Sequence, residues 1–99
     1  MSEHRVGAMT YLATGFRDAD RAGEVGKLVD CLAFMDAMPC FDRYKERSID
    51  ALCLTGTASA VDFCCGLGFD LRRMRRRAGR GELVGLDSSG ALVARALQE

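Results

Sequence analysis

A short apolar run leading into two closely spaced glycines constrains this chain more than any other feature. Ala60-Val61-Asp62-Phe63-Cys64 is apolar and partly β-branched, and Gly66-Leu67-Gly68 follows one residue later. The pattern predicts a buried strand from about Ala58 to Cys64, a tight loop, and a helix from about Phe69 to Ala78 with Leu71, Met74 and Ala78 facing inward. Gly79-Arg80-Gly81 reads as a turn and Glu82-Leu83-Val84-Gly85-Leu86-Asp87 as a second strand. Ser88 or Ser89 then caps a helix that carries Leu92, Val93, Ala96 and Leu97 and runs to the chain end. The order β-α-β-α is that of an α/β fold, a parallel sheet covered by helices.

Two helices are predicted ahead of this unit. Val25, Leu28, Leu32 and Met35 recur at helical spacing between Glu24 and Met38, and Pro39 interrupts the pattern. A second helix spans about Phe41 to Leu52, with Phe41, Tyr44, Ser48, Ile49 and Leu52 on one face. Thr55-Gly56-Thr57 is a turn. Residues 1–19 read as an irregular lead-in, with Asp18 and Asp20 as N-caps for the helix that follows. The chain thus divides into a helical lead-in, residues 1–55, and an α/β unit, residues 56–99. The lead-in helices read as a packing layer or as a lid over a ligand site.

Composition narrows the choice of partners. The 99 residues carry 14 basic and 14 acidic side chains, so net charge gives no reason to expect nucleic acid or an anionic membrane. Arg72, Arg73, Arg75, Arg76, Arg77 and Arg80 accordingly read as a solvated helix face with no interleaved aromatic platform, in preference to a phosphate or RNA contact. No apolar run approaches the ~20 residues that cross a bilayer, and Met1-Ser2-Glu3-His4-Arg5 does not open a signal peptide. The five cysteines are odd in number and form no CxxC pair, which fits a reduced, cytoplasmic setting better than a disulfide framework. Cys31, Cys40 and Cys53 are expected to pack as small buried hydrophobes. His4 is the only histidine, and no metal site is expected.

The chemistry lies in the glycine loop and the end of the second strand. Glycines without a Cβ let a ligand approach the backbone, and the following helix presents free N–H groups. Asp87 comes 19 residues after Gly68, near the spacing of ~20 at which an acid accepts ribose hydroxyls in nucleotide-binding βαβ units. A dinucleotide is disfavoured, because Leu71 stands where the G-x-G-x-x-G pattern needs its third small residue and Asp62 lies inside the strand. Asp62 itself reads either as a cofactor residue or as a structural acid that bonds loop N–H groups.

Ala60-Val61-Asp62-Phe63-Cys64-Cys65-Gly66-Leu67-Gly68 and Gly85-Leu86-Asp87-Ser88-Ser89 resemble the first two motifs of class I S-adenosylmethionine-dependent methyltransferases, with Cys64 in place of the leading glycine. Pro39-Cys40-Phe41-Asp42-Arg43-Tyr44-Lys45 is similar to the helical lead-in of some members. The resemblance implies a partial Rossmann-like sheet that binds S-adenosyl-L-methionine. Gly66 and Gly68 would line its methionine part, Asp62 would sit near its amino group, and Asp87 would bind its ribose. Cys64, Cys65 and Ser88 complete the implied contacts. The family fold has seven strands and two are predicted here, so the chain reads as an incomplete N-terminal portion, inactive alone; the sequence does not specify the methyl acceptor, for which a small molecule is one option. Pairing with a C-terminal half, or self-association, would complete the fold. The competing reading is a non-catalytic interaction module that pairs its open sheet edge with another chain.

Overall fold

The computed structural model describes residue 20 and residues 25–98. The expectations for residues 1–19, including His4 and the Asp18 cap, lie outside the described residues. Helix α1 spans Val25–Ala37 and α2 spans Pro39–Asp50. They are separated by Met38, whose extended backbone (φ −69°, ψ 126°) is what a residue before proline adopts. Pro39 therefore both breaks the first helix and opens the second, where its missing N–H removes a donor that has no partner anyway. Strand β1 (Ala60–Phe63), helix α3 (Phe69–Arg75), strand β2 (Leu83–Leu86) and helix α4 (Gly90–Ala96) follow. The described residues thus form an α/β arrangement of four helices and a two-stranded parallel sheet.

The strands pair in register from Ala60 opposite Leu83 to Phe63 opposite Leu86. Because they are parallel and equally long, both end at the same edge. There the Cys65 N–H donates to the Leu86 carbonyl at 3.0 Å and carries the pairing into the loop. Helix α3 packs on the inner sheet face through Leu71. A Cβ at Gly85 would lie 2.4 Å from Leu71 Cδ1 and 2.8 Å from Cys65 Sγ. The close helix–strand approach is thus made by a glycine on the strand opposite a leucine on the helix. Among the described residues the outer face is exposed: Val61, Phe63, Val84 and Leu86 are all accessible, Phe63 at 73 %.

The main core lies beside the loop. Leu28 and Val29 of α1 meet Leu67 of the loop and Leu92 of α4, with Val25, Leu32 and Phe69 packed around them. Met74 and Ala78 are buried as their spacing predicts. Of the expected α2 face only Ile49 is buried; Tyr44 and Leu52 are exposed.

Three further expectations are corrected. Cys31 is half-buried, and Cys40 and Cys53 are exposed. Cys40 stands in the first turn of α2, and Cys53 lies in a turn beyond its end at φ 53°. Neither position reaches the core, whatever the affinity of a thiol for it.

The arginines of α3 are not uniformly solvated. Arg73 is buried, with its guanidinium 2.7 Å from Asp36 of α1, 2.9 Å from Asp42 of α2 and 3.3 Å from Asp70. Arg77 pairs with Glu46 and, at 2.8 Å, with Asp50. The acids of α2 recur at helical spacing and meet the inner side of α3, so these charges become the seam between the two helices.

The N-terminus of α4 is capped by Ser89, whose Oγ accepts the Leu92 N–H at 3.1 Å. Asp20, expected to cap the helix that follows it in sequence, reaches α4 instead. It accepts the Ser89 hydroxyl at 2.5 Å and the Gly90 and Ala91 N–H groups at 3.0 and 3.2 Å. Those bonds, the Ser89 hydroxyl first, hold its carboxyl below the ordinary carboxylate range.

Candidate functional site

The common end of the two strands brings Cys64, Cys65, Gly66, Gly68 and Asp87 together. The Asp87 carboxylate is the strut of this edge. One oxygen accepts the Gly66 N–H at 2.8 Å and the other accepts the Ser89 N–H at 2.8 Å. A carboxylate has about four acceptor positions, so each oxygen keeps capacity for a further donor. The role of bonding a loop N–H, one of the two readings for Asp62, belongs in the structure to Asp87. Ser88 is exposed beside it.

The loop itself is wound through left-handed backbone. Gly66 has φ +52° and Gly68, the residue before α3, has φ +80°. A Cβ at Gly66 would meet no atom within 4 Å, so the open side of this residue faces free space. Cys64 also lies in the left-handed region, at φ 62°. This conformation costs an L-residue about 1–2 kcal/mol. The position where the resembling motif has glycine thus keeps a glycine's backbone while carrying a side chain.

A cavity of about 150 Å³ opens between this loop and the lead-in helices. Its loop side includes Cys64, Cys65 and Gly66; its helical side includes Met35, Phe41 and Lys45. The volume is below the ~300–1,000 Å³ of a typical small-molecule pocket, and fits one end of a ligand rather than the whole. Burial, with Asp87 and Asp62 nearby, pushes the Cys65 thiol up from its ordinary value.

Asp62 projects from the inner face of β1 and is half-buried. Its carboxyl is pushed above the ordinary carboxylate range, first by burial and then by Asp70 and Asp87, against the pull of Lys45. It adds negative potential close to the cavity.

A charged pair on the cavity wall carries no site role in the sequence pattern. Lys45 and Asp70 both line the cavity, with Lys45 Nζ 2.9 Å from Asp70 Oδ2. Lys45 Nζ also lies 5.4 Å from the Phe41 ring and 5.8 Å from the Tyr44 ring. The available signal was that Phe41 and Lys45, four apart, share one side of a helix. Among the described residues no cluster of His, Cys, Asp and Glu could hold a metal ion, and no helix is long and apolar enough to cross a membrane.

No protein-family model matches the chain, and no solved structure matches it significantly. A curated protein does: 2-phytyl-1,4-naphtoquinone methyltransferase of Thermosynechococcus vestitus is 45 % identical over 56 residues, which is 56 % of this chain and 25 % of that protein. The chain therefore spans about a quarter of the length of the curated relative it matches, and over that stretch it is related to a methyltransferase.

Proposed function

We propose that this chain binds S-adenosyl-L-methionine as the cofactor-holding part of a class I methyltransferase with a Rossmann-like sheet. The observation that carries the reading is the Asp87 carboxylate, bonded to Gly66 at 2.8 Å and set at the end of the neighbouring strand. Its remaining acceptor positions suit the two hydroxyls of a ribose. The left-handed Gly66, open on its Cβ side, suits the methionine part beside the cavity. Bound there, the cofactor would supply an electrophilic methyl group on sulfur. The chain's own contribution is to hold the two ends of the ligand in fixed relation and to keep the loop rigid. The match to a quinone methyltransferase supports a small-molecule acceptor.

Isothermal titration of the chain with S-adenosylhomocysteine tests the reading. A dissociation constant in the micromolar range is the expected result, and absence of binding refutes it.

The outer sheet face, exposed among the described residues, favours a second reading, that of an interaction module. Val61, Phe63, Val84 and Leu86 form an apolar surface of the kind another chain covers. Concentration-dependent association by sedimentation, with no heat from the titration, would select it.

A further inference from the structure

The cavity wall carries a charge arrangement that Asp87 and the glycine loop do not use. Lys45 brings an ammonium to the wall from α2, and Asp70 brings a carboxylate from α3, paired at 2.9 Å. The rings of Phe41 and Tyr44 sit against the same ammonium and hold it in place. Both charged side chains are only about a quarter exposed. Arg73, close by, is buried and surrounded by Asp36, Asp42, Asp70 and Glu46. Lys45, unlike Arg73, can exchange its partner without leaving a buried charge bare.

We infer that Lys45 and Asp70 form a receptor for a zwitterionic amino acid end, with Lys45 taking the α-carboxylate and Asp70 the α-ammonium. This rests on the cofactor reading above and adds to it the residue that selects a ligand with an intact amino acid tail. The exchange is balanced in charge. The Lys45–Asp70 pair opens, and each partner gains one opposite charge from the ligand, so no ion is stranded. The helical lead-in is then a wall of the binding site as well as a packing layer.

The test compares two probes by calorimetry: S-adenosylhomocysteine, which has the amino acid end, and 5′-methylthioadenosine, which lacks it. Lys45→Met is expected to weaken S-adenosylhomocysteine by roughly 10- to 100-fold, the worth of a charge-assisted hydrogen bond. It should leave 5′-methylthioadenosine unchanged. Lys45→Arg, which keeps the charge, should restore most of the loss. Circular dichroism and urea titration of each variant separate misfolding from lost affinity, and Lys45→Gln is the second variant should Lys45→Met fail to fold. If the parent chain binds both probes and the variants bind S-adenosylhomocysteine as well as it does, the role of Lys45 is overturned and the cofactor reading stands. Parallel loss of both probes by a folded variant overturns it as well. If the parent chain binds neither probe, the cofactor reading falls and takes this inference with it.

Discussion

Replacing Gly85 with alanine tests how the sheet and α3 are joined. The added Cβ would stand 2.4 Å from Leu71 Cδ1, 2.8 Å from Cys65 Sγ and 3.0 Å from Cys65 Cβ. The leucine methyl can swing aside, but the Cys65 Cβ is tied to the loop backbone and moves only with it. Forcing a methyl into a packed contact costs about 1–3 kcal/mol. Removing a glycine from a strand returns about 0.5–1 kcal/mol of that, because the unfolded chain has less freedom to lose. A net loss of about 1 kcal/mol is expected, or about 4–8 °C in melting temperature for a domain of this size. Urea titration at fixed pH gives the loss directly. Making the same change in a Leu71→Ala background removes only the contact that can yield, so most of the cost, set by Cys65, should remain. An unchanged midpoint for Gly85→Ala, or a cost abolished in the second background, would refute the account of this contact.

Other substitutions address the backbone and the charges. Cys64→Gly removes an exposed side chain from left-handed backbone and should stabilise the chain by about 1 kcal/mol; a lower urea midpoint would contradict this. Arg73→Leu strands Asp36, Asp42 and Asp70 at the seam of three helices and should cost about 3 kcal/mol, with an undisturbed denaturation curve as the contrary result. The pH profile has opposing parts. Asp62 binds its proton more tightly when folded, so its contribution falls as pH rises through the ordinary carboxylate value of about 4 toward the raised folded value. Asp20 and Glu46 are held low, Glu46 chiefly by Arg77, so their contribution is present above that ordinary value and lost as pH falls through their folded values. Asp62→Asn should raise the urea midpoint at pH 7 and flatten the first trend, and a profile that matches the parent would sink the assignment.

The strands, the loop between them and the acid at the end of β2 were legible because each is specified locally. Apolar runs bounded by turns mark β1 and β2, and glycine marks the left-handed bend at Gly66 and Gly68. Long-range pairing was not legible. Apart from Asp70, the carboxylates around Arg73 come from α1 and α2, some thirty residues away in sequence, and nothing in a run of arginines says which of them will turn inward. Asp20 reaches across 69 residues to Ser89, while its local context suggested an ordinary cap nearby. The thiols of Cys40 and Cys53 were misplaced for a related reason: burial depends on what packs over a turn, and no described element covers these two. Leu71 stands where a dinucleotide pattern has its third small residue, yet the close helix–strand contact is still made, because Gly85 supplies the small residue from the other side.

Under the proposed function Asp87 has two duties, and they impose an order on any dissection of the site. It accepts the Gly66 N–H and the Ser89 N–H, so it fixes the loop to the start of α4, and its spare acceptor positions are those the proposal gives to a ribose. Asp87→Ala would lose both at once. A fall in affinity would then say nothing about which duty mattered, because a loosened loop weakens every contact it makes. Lys45 is free of this difficulty. Its partner Asp70 and its neighbouring rings are side chains on helices, and no backbone N–H of the loop depends on it. Selectivity between ligands with and without an amino acid end, read at Lys45, therefore isolates ligand recognition from loop geometry, which affinity read at Asp87 cannot do.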